Sequence, residues 1–182
     1  MSRSPLLGLD VDVVVVHPDD PLAAPLFAEL AVEYDTRYGD LFGGAEHELH
    51  RYPAELFTAP HGAFVLLLAD GVAVAGGAFK PHPDDGTVEV KRMWTAATHR
   101  RHGLARRVLA ELEALAVERG ARRVYLTTGP RQPEARHLYL AAGYTPMFDP
   151  AHLRPTDLET LRALPVEQRI YPFVKDLQGD PR

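Results

Sequence analysis

The sequence contains no cysteine. That absence excludes disulfides, thiolate metal ligands and a covalent cysteine intermediate. Long apolar runs are missing as well. The longest, residues 13–16 and 64–69, fall far short of the roughly 20 residues needed to span a bilayer; they read as buried strands, and no membrane partner is expected. The N-terminus, Met1-Ser2-Arg3-Ser4-Pro5, has no basic segment ahead of an apolar stretch of secretory length, and the expectation is a cytoplasmic protein. A surplus of basic charge is also absent: 20 Lys and Arg stand against 25 Asp and Glu, a formal net charge of -5. Nucleic acid is therefore not an expected partner, because neutralising phosphates requires clustered Lys and Arg, whereas cationic molecules remain compatible partners. Nine histidines scatter without ligand spacing, and His47-Glu48-Leu49-His50 lacks the two-residue gap of a His-Glu-x-x-His zinc helix, so no metal is expected.

What remains is an ordinary globular composition. Of 182 residues, 46% are hydrophobic and 25% charged, enough for one core and one principal site in a single domain, 1–182, with its core over about 11–175 and short tails. A strand is expected over 11–16, ended by His17-Pro18-Asp19-Asp20-Pro21, where Asp20 can cap a helix that begins at Pro21. That helix should run to about Arg37, ended by Gly39 or by Gly43-Gly44. The stretch 39–60 is the least patterned, with one short helix near 46–52. An apolar run at 64–69, the turn dipeptide Asp70-Gly71 and a second run at 72–79 predict a β-hairpin. A third strand at 87–95 would complete an antiparallel meander.

From Gly103 the period changes. Leu104, Val108, Leu112, Leu115 and Ala116 recur at helical spacing, and Gly120 closes the helix. A strand follows at 123–127. A second helix starts at Pro133 with the stripe Ala135, Leu138, Tyr139 and Ala142, closed by Gly143. Short strands are expected at 144–148 and 169–175 near the C-terminal edge, the second limited by Pro172. Between them, 155–164 reads as a small helix capped by Thr156 or Asp157. The expected class is α/β of the α+β type: a mixed sheet of six or seven strands with an N-terminal antiparallel meander, flanked by about four helices.

The loop at 96–105 joins a strand to a helix through Arg100, Arg101 and Gly103. A glycine at a helix mouth lets backbone approach a ligand closely, and the unpaired amides of the first turn attract phosphate. A plain connecting loop with solvated arginines would look the same. No Gly-Lys-Ser/Thr follows, and no Gly-x-Gly-x-x-Gly is present, so neither a triphosphate P-loop nor a dinucleotide fold is indicated.

Arg100-Arg101-His102-Gly103-Leu104-Ala105 resembles the Arg/Gln-x-x-Gly-x-Gly/Ala signature of the GNAT superfamily of N-acetyltransferases. Gln132 through Tyr144, with Ala135, Leu138-Tyr139 and Gly143-Tyr144, is similar to that family's second signature, Ala-x-x-Leu-Tyr-x-x-x-Gly-Phe/Tyr. Two signatures in order, separated by a helix and a strand, are far more specific than one, and the order of elements resembles the family over nearly the whole chain. The resemblance implies acetyl-CoA as cosubstrate. The backbone of Met93, Trp94 and Thr95 would hold its pantetheine arm. The loop amides of Arg101, His102, Gly103, Leu104 and Ala105, with Arg100 and Arg106, would hold the pyrophosphate. Gln132 stands where the family often has a CoA-contacting asparagine. Tyr139 matches the tyrosine that protonates the departing sulfur, a role that suits a phenol of pKa roughly 10, although a core tyrosine would occupy the same stripe.

Glu89 is the candidate general base, at the spacing from Arg100 where the family's histone-modifying branch carries its strand glutamate. An ion pair with Lys91 or with a cross-strand cation is the competing explanation. The acceptor site would lie near 34–44, where Tyr34, Arg37 and Tyr38 line it, and Arg37 or Arg92 could fork a substrate carboxylate. The expected reaction is direct acetyl transfer to the primary amine of a small molecule, such as an amino acid or an amine-bearing antibiotic. A protein or peptide acceptor, a non-catalytic acyl-CoA-binding module and a purely structural domain are the alternatives. The segment 151–164 would either form a homodimer contact or close one side of the pocket.

Overall fold

The computed structural model describes residues 10–177, so most of both expected tails lies outside the described residues. One mixed sheet organises them. Its seven strands are β1 (Asp12–Val15), β2 (Ala63–Ala69), β3 (Val72–Pro81), β4 (Thr87–Thr95), β5 (Arg123–Thr128), β6 (Thr145–Pro146) and β7 (Tyr171–Asp176). The order across the sheet is β1-β2-β3-β4-β5-β7-β6. All neighbours are antiparallel except β4 and β5, which are joined by a helix, as a parallel pair requires.

The five α-helices among the described residues are α1 (Ala24–Tyr38), α2 (Ala45–His50), α3 (Leu104–Glu118), α4 (Pro133–Ala141) and α5 (Leu158–Ala163). Both faces of the sheet are covered, which explains why β2 reads as a continuous apolar run rather than an alternating one. Its Val65 and Leu67 join Val108 and Leu112 of α3 in one core cluster. Phe64, Leu66 and Leu68 join Leu26 and Leu30 of α1 in the other. Asp20 caps the turn before α1 as expected, its side chain accepting from Leu22 N at 2.9 Å. Asp157, rather than Thr156, caps α5 by accepting from Thr160 N at 2.8 Å.

Two features of the sheet position the site. Between Gly76 and Ala78 the β3–β4 register shifts by one residue, and Arg92 on the bulged side adopts φ +58°. A bulge of this kind bends its strand. The β4–β5 ladder runs only from Thr87↔Arg123 to Val90↔Leu126, although β4 continues to Thr95 and β5 to Thr128. Beyond Val90 the two strands part, leaving backbone donors and acceptors of β4 without a neighbouring strand.

The C-terminal end departs from expectation. Pro172 does not limit its strand, and β7 lies inside the sheet between β5 and the two-residue β6. Pro172 O accepts from Met147 N at 2.9 Å, so the missing donor of Pro172 faces the β6 side. A residue's N and C=O point to the same side of a strand, which leaves the β5–β7 ladder intact.

Candidate active site

A cavity of about 950 Å³ occupies the opening between β4 and β5, near the top of the range for small-molecule sites, about 300–1,000 Å³. Every residue proposed from the sequence lines it except His102. His102 is exposed, and its Nδ1 lies 3.2 Å from His99 O.

At one end stands the mouth of α3. Arg101 and Gly103 both have positive φ, +65° and +75°, which turns the chain so that the helix begins abruptly at Leu104. No side chain caps it, and its first intrahelical bond comes from Arg107 N to Gly103 O at 3.1 Å. The amides of Leu104, Ala105 and Arg106 are thus left for a ligand, at the positive end of the helix dipole. Arg100 is braced by Glu33 at 3.0 Å and by Thr95 O at 3.4 Å. Along the slot, Met93, Trp94 and Thr95 present the unpaired edge of β4. Thr95 Oγ1 is buried without a hydrogen-bond partner, an orphan of the sort a ligand satisfies. The Trp94 indole turns into the core and donates to Glu29 at 3.1 Å, so only its backbone serves the slot. Gln132 Oε1 accepts from Thr128 Oγ1 at 3.2 Å, Gly129 N at 3.3 Å and Tyr38 Oη at 3.4 Å. Its oxygen holds the β5–α4 turn together, and only its amide nitrogen is left to face a ligand. An elongated anionic molecule with amide groups, such as acetyl-CoA, fits these features.

Glu89 and Tyr139 face the same cavity. Glu89 is 8% exposed and lies between Lys80 at 2.7 Å, its cross-strand partner, and Lys91 at 3.0 Å. Burial alone would raise its carboxyl, but the two ammonium groups outweigh burial and hold it below the ordinary glutamate range. Tyr139 packs against Tyr144 and Phe173, and burial raises its hydroxyl well above the ordinary phenol value. It stays protonated throughout the neutral range.

At the far end lie the residues expected on the acceptor side. Tyr34 is raised by burial and by Glu48. Tyr38 is pushed up to about 12, mainly by burial. Arg37 is occupied by Glu33 at 3.2 Å, Glu134 and Arg131 O, so it ties α1 to α4. Arg92 donates to Leu49 O at 2.6 Å and lies 4.1 Å from the Phe57 ring centroid; burial lowers its pKa. The ion pair of Glu89 expected with Lys91 or a cross-strand cation forms with both, Lys80 being that cation; sequence reading missed Tyr52 and Glu48 on the cavity wall and did not identify Lys80. Lys91 shares a strand face with Glu89 and was legible. Tyr52 and Lys80, which meet with Lys80 Nζ 4.5 Å from the Tyr52 centroid, come from separate elements and leave no local signal. Segment 39–44 is closed over by the C-terminal connection: Asp40 pairs with Arg162, Leu41 O accepts from Arg169 at 3.3 Å, and Tyr38, Leu41 and Leu161 form a small core.

On α2, the second histidine of the His-Glu-Leu-His segment is otherwise engaged. His50 pairs with Glu46 at 3.4 Å and stacks on Phe27. No group of three or more His, Asp or Glu among the described residues could hold a metal ion, and no helix of the described residues is long and apolar enough to cross a membrane.

Two parallel strands that part beside an uncapped helix mouth form a cleft suited to an elongated anionic ligand. The chain belongs to the GNAT acetyltransferase family, whose model matches residues 27–144; it is an N-acetyltransferase, and the family uses acetyl-CoA as cosubstrate. It is 28% identical to an IAA acetyltransferase of Azospirillum brasilense over 131 residues, 72% of this chain and 84% of the relative. In structure it resembles the GNAT domain of S. lividans PAT, with a TM-score of 0.69, 17% identity and coverage of 97% and 96%. An acetyltransferase from Thermus thermophilus gives 0.63, 21%, 92% and 97%. Those two likenesses establish the fold.

Proposed function

We propose that the protein transfers an acetyl group directly from acetyl-CoA to the primary amine of a small molecule that also carries a carboxylate. The observation that carries this reading is the wall of the acceptor end. Arg37, Arg51, Lys91 and Arg92 line it and Lys80 lies behind it, against Glu33, Glu48, Glu89 and Glu134, so cations exceed carboxylates by one. Such a wall favours an anionic substituent on the acceptor. Phe42, Val166 and Ile170 line the same cavity, whose volume suits a small acceptor.

When bound, acetyl-CoA supplies a thioester carbonyl open to attack by an amine. The uncapped amides of Leu104, Ala105 and Arg106 would hold its pyrophosphate, and the free edge of β4 its pantetheine arm. Glu89, kept ionised by its lysines, takes up through water the proton that the neutral amine sheds as the N–C bond forms. Its low basicity means that the neutral amine is drawn from solution equilibrium more than created by the enzyme. Tyr139 holds a proton on Oη for the departing sulfur. The N–C bond forms, the C–S bond breaks, and the products are an N-acetylated amine and the CoA thiol.

The test begins with calorimetric titration of acetyl-CoA into the wild type and into Gly103→Pro, whose fold is checked by circular dichroism. Proline cannot adopt φ near +75°, so saturable binding should vanish in the folded variant. An amine panel follows, with amino acids set against their decarboxylated amines and against short peptides. A preference for the carboxylated small amines of at least tenfold in kcat/KM is expected. Equal use of the decarboxylated amines removes the cationic-wall argument, and a preference for peptides overturns the small-acceptor reading.

A further inference from the structure

A second cavity, of about 310 Å³, lies beside the first third of α4 and is walled by Arg131, Arg136, Arg154 and Tyr171. Leu153 and Thr156 of the long connection complete it, together with Pro130 and Pro133. No acidic side chain lines it, although the chain as a whole carries more acid than base. The three arginines are half-buried, and among the described residues none of them forms an ion pair. The guanidinium groups of Arg136 and Arg154 lie 5.8 Å and 5.5 Å from the centroid of the same Tyr171 ring, so two cations stand over one aromatic floor. Arg154 Nε is buried with no hydrogen-bond partner, while its backbone N–H is held by Tyr171 Oη at 2.6 Å. Half-buried like charges gathered without a counter-charge, one with an orphaned donor, are costly unless an anion completes them. The cavity also adjoins the N-terminus of α4, nine residues long, whose dipole adds to the positive potential.

We propose that this cavity binds a small phosphate-class dianion, either free phosphate or the phosphate group of a small monoester. Three arginines suit a tetrahedral oxyanion better than a carboxylate, whose two oxygens are satisfied by one guanidinium fork. The volume accommodates the phosphate and a few further atoms but not a nucleotide. The site is separate from the acetyl-transfer cavity, yet it shares a wall with it. Gly129 and Gln132 of the β5–α4 turn line the first cavity and Pro130, Arg131 and Pro133 line the second. Arg131 O receives Arg37 from α1. Occupancy of the second cavity thus reaches the acceptor side through one short turn.

The proposal is tested by titrating inorganic phosphate into the full-length ¹⁵N-labelled protein at constant ionic strength, reading the arginine Nε–Hε resonances, with and without excess CoA. Saturable shifts of Arg131, Arg136 and Arg154 are expected, unchanged by CoA and weakened at least tenfold in Arg154→Gln. Arg136→Gln gives the same readout if Arg154→Gln does not fold. A parallel titration with glycerol phosphate separates the sources: tighter binding than inorganic phosphate identifies a monoester, equal or weaker binding identifies free phosphate. Shifts that do not saturate, or that chloride reproduces, overturn the proposal. Competition with CoA also overturns it, because the arginines would then belong to the cofactor cavity.

Discussion

Glu89→Gln separates structural and chemical roles at the centre of the site. Glu89 is the shared counter-charge of Lys80 and Lys91, whose side chains are 8% and 18% exposed. With glutamine in its place, Lys80 Nζ retains only Pro81 O at 3.3 Å and the face of Tyr52. Breaking a buried ion pair by neutralising one partner costs about 3 kcal/mol, equivalent to a fall in Tm of about 6–12 °C at 2–4 °C per kcal/mol for a chain of this size. The loss depends on pH. Because the fold lowers the Glu89 pKa, its contribution is complete above the ordinary value of 4.5 and is lost as pH falls through the lower value it has in the protein. The Tm difference between wild type and variant should therefore be constant from pH 6 to 8 and shrink below about pH 4.5. Adding Lys80→Met to Glu89→Gln removes the orphaned ammonium, and most of the Tm should return. Activity should not: if Glu89 takes up the acceptor's proton, kcat/KM stays about 10²-fold below wild type in both variants. Scanning calorimetry and steady-state kinetics across the three proteins provide the readout. A Tm unchanged by Glu89→Gln refutes the ion-pair reasoning, and activity that returns with stability refutes the proton-transfer role.

Tyr139→Phe should lower kcat by about 10²-fold while the KM for acetyl-CoA is unchanged; because burial raises the tyrosine, the wild-type pH profile should show no loss of activity from its ionisation below pH 10. Equal kcat in the variant assigns Tyr139 to the core alone. Gly129→Ala places a Cβ 2.0 Å from the Tyr38 hydroxyl, so Tyr38 must leave its position; a cost of about 1–3 kcal/mol by urea unfolding and a raised acceptor KM with unaltered acetyl-CoA binding are expected, and an unchanged acceptor KM removes Tyr38 from the acceptor wall. Asp157→Ala deletes the cap of α5 and should lower the urea midpoint in the same measurement.

The order of strands and helices was legible in the sequence because it rests on short-range physics. Periodicity marked β2, β3 and α3; Asp70-Gly71 marked the hairpin, and its residues take φ of +49° and +78°; Asp20, Gly39 and Gly103 marked helix ends. The cofactor end of the site was legible for the same reason, since the loop and the helix it opens are contiguous in the chain. The environment of Glu89 was not. Whether a strand glutamate is a free base or the anion of a buried cluster depends on Lys80 from β3 and on Tyr52 from the irregular stretch before β2, and no local pattern encodes that meeting. The place of β7 was hidden likewise, because Pro172 is disfavoured in a strand interior by rule and is tolerated here only through the side of the strand to which its missing donor points. The role of 151–164 needed Asp40, Leu41 and Leu161 to be seen together. Sequence by itself determined the elements and the glycine-opened mouth of α3, because dihedral preference and helix capping act over a few residues; tertiary structure alone decided the parting of β4 from β5, the charge environment of Glu89 and the covering of 39–44 by the C-terminal connection, because desolvation and Coulomb interactions depend on which distant residues the sheet brings together.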